Sequence, residues 1–139
     1  ATVAYGAKDV HTLKAFHEAE SHAGPSLIVA YSPCIAHGVD MLYNQRQQDM
    51  AVKSGHWPLF RYDPRVEEAG GNPFRLDSAP PTQSIKTFMD SETRFAMLAR
   101  SHPDAAERLV AQAQKDADRR YKGYQEIAAA HAPAAPKES

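Results

Sequence analysis

The chain has 139 residues, 42% of them hydrophobic and 24% charged, which suits one soluble domain or part of one, with enough apolar content for a core. Sixteen basic and 17 acidic residues leave a formal charge of −1, so nucleic acid and anionic membrane surfaces are excluded as electrostatic partners. One cysteine rules out an internal disulfide, and no apolar run is long enough for a bilayer span or a secretory leader, which makes the cytoplasm the default compartment.

In chain order, Thr2 to Tyr5 reads as a short strand that Gly6 ends. Asp9 is suited to cap a helix in which Val10, Leu13, Phe16 and Ala19 recur at helical spacing and are expected to face the core. His11, His17 and His22 fall in or beside that helix without a metal-ligand spacing, so they are read as surface residues. Gly24-Pro25 stops the helix, and 26–31 is a nearly continuous apolar run, the pattern of a strand covered on both faces in a parallel sheet. The result is a β-α-β unit that needs further strands and helices to be complete. The chain opens without Met directly into an apolar segment, as a fragment of something longer would.

Next comes Tyr31-Ser-Pro-Cys-Ile-Ala-His-Gly38, which sets the only cysteine at a strand-to-helix turn. Strand ends in open α/β sheets face the crevice where ligands bind, so this thiol is placed for chemistry; the other reading is a structural thiol packed as a small hydrophobe. Residues 39–53 form the next predicted helix, with Val39, Leu42, Tyr43 and Met50 on one side and Asn44-Gln-Arg-Gln-Gln-Asp49 as its solvated face or, alternatively, as amides that donate hydrogen bonds beside a cofactor loop. Trp57 to Tyr62 reads as a strand, with Trp57 and Phe60 as core aromatics or, alternatively, an aromatic binding wall. Asp63-Pro64 and Gly70-Gly71-Asn72-Pro73 are turn signals, and Phe74 to Asp77 returns to complete a hairpin.

Pro80-Pro81 marks a change of character. Ser84 is suited to cap one helix that carries Ile85, Phe88, Phe95 and Leu98 and ends near Ser101. Pro103 then opens a long amphipathic helix on which Ala106, Val110, Ala113, Ala117, Tyr121, Tyr124 and Ala128 recur, an arm or clamp. The Pro/Ala-rich tail 132–139 is expected to be disordered. The expected organisation is an α/β open-sheet portion over 1–79, a helical extension over 80–131, and the tail.

Three separated motifs occur in order: Gly24-Pro-Ser-Leu-Ile-Val-Ala-Tyr-Ser-Pro-Cys-Ile-Ala-His-Gly38, Ser54-Gly-His-Trp-Pro-Leu-Phe-Arg-Tyr-Asp-Pro64 and Asn72-Pro-Phe-Arg-Leu-Asp-Ser78. With Glu92-Thr-Arg-Phe95, Ser101-His-Pro-Asp104 and the Ala-rich helix to Tyr124, they resemble the C-terminal part of pyruvate:ferredoxin (flavodoxin) oxidoreductase over nearly the whole chain. The resemblance implies the C-terminal portion of a thiamine-diphosphate-binding domain, in an enzyme that decarboxylates pyruvate, transfers acetyl to coenzyme A and passes electrons through 4Fe-4S clusters to ferredoxin or flavodoxin. It also implies that Cys34 is one of four ligands to the cluster nearest the thiamine, with His37 and Asp40 as supporting neighbours. A thiolate at a turn is suited to that role, because nearby backbone donors tune the cluster's potential.

The same resemblance puts the other three cluster cysteines, and the Gly-Asp-Gly segment that holds Mg2+ and the diphosphate, upstream of these residues; no Gly-Asp-Gly occurs here. No thiamine, magnesium or catalytic residue is therefore assigned, and the chain alone is expected to be inactive. Its expected partners are the upstream domains of the same enzyme, ferredoxin or flavodoxin, and further copies in a homo-oligomer. Two alternatives stand beside this reading: a non-enzymatic α+β interaction module that binds through its long C-terminal helix, and a mononuclear metal site formed by Cys34 with His37 or His56.

Overall fold

The computed structural model describes residues 1–130, so the tail 132–139 lies outside the described residues. Four short strands, β1 (Thr2–Val3), β2 (Val29–Ala30), β3 (Phe60–Tyr62) and β4 (Phe74–Leu76), form one sheet in the order β2-β1-β3-β4. β1 and β2 run parallel, with helix α1 (Asp9–Ser21) as their crossover, while β3 is antiparallel to both β1 and β4. The mixed open sheet and its helices agree with the expected α/β class, β-α-β unit and hairpin. The hairpin connection contains a short helix, α3 (Pro64–Glu68), where the sequence read only a turn. Asp63 accepts from the Arg65 N–H at 3.0 Å and Pro64 takes the first position, so one dipeptide that signals a turn here starts a helix instead.

α1 corrects an expectation about its faces. His11, Thr12 and Ala15 are its buried residues, whereas Val10 is 72% exposed and Phe16 56% exposed. The cause is polar. His11 lies 3.2 Å from the Asp77 carboxylate, Arg61 grips Asp77 through Nε and Nη2 at 2.9 and 2.8 Å, and Arg61 also pairs with Glu18 on the same helix. Charged partners buried at the sheet hold the helix by its polar side, and the apolar stripe is left outward. His11 is thus not the surface residue it was read to be.

The run 26–31 is likewise not covered on both faces. β2 is an edge strand, and Leu27 and Val29 are exposed. Its ladder to β1 is nonetheless regular, with Val29 N–H donating to Ala1 and Tyr31 N–H to Val3, each at 2.9 Å.

The predicted helix 39–53 is divided. A 3-10 turn at Met41–Tyr43, capped by Asp40 accepting from the Leu42 N–H at 2.9 Å, precedes α2 (Asn44–Lys53). Val39 and Met50 are buried as expected, but Leu42 and Tyr43 are exposed. Gln47 and Gln48, read as part of a solvated face, are buried. Gln48 accepts from the Gly6 N–H at 2.9 Å, so its amide satisfies the loop that leads into α1.

Residues 85–101 form two helices rather than one: α4 (Ile85–Met89), capped by Ser84, and α5 (Thr93–Ser101). They are joined by Asp90 to Glu92. The long helix α6 (Pro103–Ala129) is continuous, as its spacing predicted. It crosses back over the rest of the fold, where Tyr121 donates to the Ser78 carbonyl at 3.0 Å, Gln114 caps Ile85 at 2.8 Å and Arg120 donates to His56 at 2.9 Å. The core lies between α2, α4 and α6, with Met50, Ala51, Ile85, Phe88, Met89 and Ala117 at its centre. Trp57 packs at its border and donates to the Val3 carbonyl at 3.1 Å, and Phe60 packs in tilted contacts against Phe74 and Tyr124, so the packing reading of both aromatics holds.

Candidate functional site at the cysteine loop

Edge strand β2 delivers the chain into a loop that starts at Tyr31 and ends at Gly38. Cys34 sits half-buried at the entry to a 3-10 turn, Ile35–His37, and its thiol is free. The turn closes when the His37 N–H donates to the Cys34 carbonyl at 3.0 Å and the Gly38 N–H to Ile35 at 2.9 Å. Gly38 has φ +75°, a conformation that favours glycine, and a Cβ there would lie 2.3 Å from Thr93 Cβ. Its carbonyl accepts from the Thr93 hydroxyl at 3.1 Å.

The upstream end of the loop is held by a buried carboxylate. Glu92, 1% exposed, accepts from Gln47 Nε2 at 3.0 Å and Arg94 Nε at 2.6 Å, and lies 3.5 Å from the Tyr31 hydroxyl. Arg94 and Gln47 make this buried charge tolerable, since an unpaired carboxylate in such a place is strongly destabilising. Burial, the nearby Glu92 charge and the hydrogen bond to it push the Tyr31 phenol up to about 12, so the hydroxyl keeps its proton. The Tyr31 ring is hemmed in by Trp57 at 5.7 Å and Phe88 at 6.4 Å between centroids.

The sequence-predicted neighbours divide. His37 borders the turn, half-buried, while the exposed Asp40 uses its carboxylate as the cap at Leu42. His56 lies against the core, stacked on Phe88 at 4.4 Å; burial, with the Arg120 charge adding to it, pushes its pKa down and favours the neutral ring. Among the described residues no group of three His, Cys, Asp or Glu side chains is arranged to hold a metal ion. The mononuclear site is therefore not assembled among these residues, and the one soft donor at the turn is the Cys34 thiol, a ligand type suited to iron. Sequence reasoning did not single out Glu92 or the Tyr31 hydroxyl, whereas Gln47 lies in the segment whose alternative reading was amides donating hydrogen bonds beside a cofactor loop. The signal for Glu92 was Glu92-Thr-Arg-Phe95, quoted for its resemblance and not for its chemistry.

The quoted motifs meet in space. Arg61 of the second pairs with Asp77 of the third, Ser78 accepts from the Leu59 N–H at 2.6 Å, and Asn72 donates to the Ala128 carbonyl at 2.8 Å near the end of α6. No helix among the described residues is long and apolar enough to cross a membrane.

No protein-family model matches the chain. It is 52% identical over 128 residues to the pyruvate-flavodoxin oxidoreductase of Nostoc sp., and 46% identical over 128 residues to the pyruvate:ferredoxin oxidoreductase of Moorella thermoacetica. Each match covers 92% of this chain and 11% of the relative. A probable pyruvate-flavodoxin oxidoreductase of Escherichia coli is 41% identical over 121 residues. The chain thus spans about a tenth of the length of the curated relatives it matches.

Proposed function

We propose, on the premise that this chain is homologous to one segment of the pyruvate-flavodoxin and pyruvate:ferredoxin oxidoreductases, that it serves as that segment of such an enzyme. The observation that carries the reading is identity of 46–52% along 92% of the chain. The whole enzyme converts pyruvate and coenzyme A to acetyl-CoA and carbon dioxide and delivers the electrons to ferredoxin or flavodoxin. Its thiamine diphosphate with Mg2+ supplies the decarboxylation chemistry and its 4Fe-4S clusters supply one-electron transfer. Cys34 contributes one thiolate to the cluster beside the thiamine, and the rest of that ligand set comes from other domains.

The residues of this chain have a narrower task. Residues 1–79 complete the thiamine-binding α/β domain, and 80–131 pack on it as a helical extension. Cys34 fits the ligand role because it is a free, half-buried thiol on a loop anchored at Gly38 by Thr93 and at Tyr31 by Glu92. The enzyme works in the cytoplasm as a homo-oligomer. The interaction-module alternative is the weaker reading, because α6 spends its polar and aromatic side chains on this chain's own backbone at Ser78, Ile85 and His56.

The test is Cys34→Ser in the full-length enzyme, with iron counted per protein and a single-turnover carbon dioxide burst compared with ferredoxin reduction. Serine is a poor soft ligand, so the expected result is lost or altered cluster iron and slow ferredoxin reduction with the burst partly preserved. Full iron content with wild-type ferredoxin reduction overturns the assignment.

A further inference from the structure

We infer that Glu92 and Thr93, the adjacent residues at the start of α5, are positioning residues for Cys34: between them they hold both ends of the loop that carries it. This rests on the ligand reading above and goes beyond it by naming what fixes the ligand. The downstream grip is direct, since the Thr93 hydroxyl donates to the Gly38 carbonyl at 3.1 Å. It is also steric, because the space a Cβ on Gly38 would take is filled by Thr93 Cβ at 2.3 Å and Oγ1 at 2.4 Å. The upstream grip is the buried Glu92 carboxylate facing the Tyr31 hydroxyl, itself fixed by Gln47 of α2 and by Arg94. Ser91 donates to Gln47 Oε1 at 2.8 Å, so three consecutive residues, Ser91 to Thr93, tie α5 to α2 and to the loop.

Between the grips, the buried Pro33 restricts the backbone next to Cys34. The break between α4 and α5 thereby gains a purpose. One continuous helix would carry residue 92 past the loop as an ordinary helical position. The break instead lets Glu92 enter the core and Thr93 meet Gly38. A cluster ligand whose backbone is pinned from both sides keeps its sulfur, and the amides around it, in a single arrangement, which is how a protein tunes a cluster's potential.

The test uses Thr93→Val, which keeps shape and removes the hydroxyl, Thr93→Ser, which keeps the hydroxyl, and Tyr31→Phe, which removes the hydroxyl that faces Glu92. In the 139-residue chain, iodoacetamide modification of Cys34 is followed by mass spectrometry under native conditions. Loss of one anchoring hydrogen bond raises the open-loop population and the reaction rate by about three- to tenfold in Thr93→Val and Tyr31→Phe, with Thr93→Ser near wild type. In the full-length enzyme, an EPR-monitored redox titration of the cluster should show a shifted potential in Thr93→Val at unchanged iron content. Wild-type alkylation in Thr93→Val overturns the inference, as does faster alkylation with an unchanged potential and EPR signature. Full iron retention in Cys34→Ser overturns the ligand reading instead, so the two failures are distinguishable.

Discussion

Gly38 and Thr93 interlock. The threonine side chain occupies the volume that any residue larger than glycine would need at position 38, and its hydroxyl holds the glycine carbonyl at 3.1 Å. Gly38→Ala therefore meets a left-handed backbone at φ +75° and a collision together, and is expected to destabilise the fold by about 2–4 kcal/mol. Adding Thr93→Gly should recover part of that loss, because it removes both colliding atoms, Cβ and Oγ1. Urea unfolding midpoints of the two single variants and the double variant check this, and strict additivity would show that the contact is not the cause.

Glu92→Ala should cost about 2–4 kcal/mol, because it leaves the Gln47 amide and the Arg94 guanidinium without their buried acceptor. Chemical denaturation with near-ultraviolet circular dichroism of Tyr31 and Trp57 is the measurement. Loss confined to less than 0.5 kcal/mol, the range of ordinary surface substitutions, would mean that the network is not a structural anchor.

Acid should act through Asp77. Burial by itself would raise its carboxyl, but hydrogen bonds from Arg61 and His11 outweigh burial and hold it well below the usual carboxylate range. A depressed native pKa contributes stability that is present above the unfolded value near 4 and is lost as pH falls toward the native one. Asp77→Asn is therefore expected to be less stable at pH 7 and to lose less further stability below about pH 4 than wild type. Urea midpoints against pH give both slopes; parallel acid limbs would exclude Asp77 as the source.

The outward stripe of α1, with the free edge of β2, should drive self-association of the isolated chain. Phe16→Asp is expected to lower the sedimentation-derived association constant while changing the unfolding free energy by less than about 0.5 kcal/mol. A wild-type chain that stays monomeric over a wide concentration range would count against it.

The sequence by itself determined the class of the fold, the β-α-β unit and hairpin, the continuity of α6, and the likeness through which Cys34 stands out. Those features are written in local spacing, in caps such as Ser84 and Pro103, and in motif order, all of which lie along the chain. Tertiary structure decided which side of α1 turns inward, because Arg61 and Asp77, 16 residues apart, form a charged anchor that outweighs the helix's own apolar stripe. It also decided where the helix of 85–101 breaks. Nothing local to Glu92 announces that Gln47, 45 residues earlier, presents it with a buried donor. Hydrophobic periodicity reports what a segment prefers in isolation, whereas a buried charge is tolerated only where distant partners converge on it, and that convergence exists only in the folded chain.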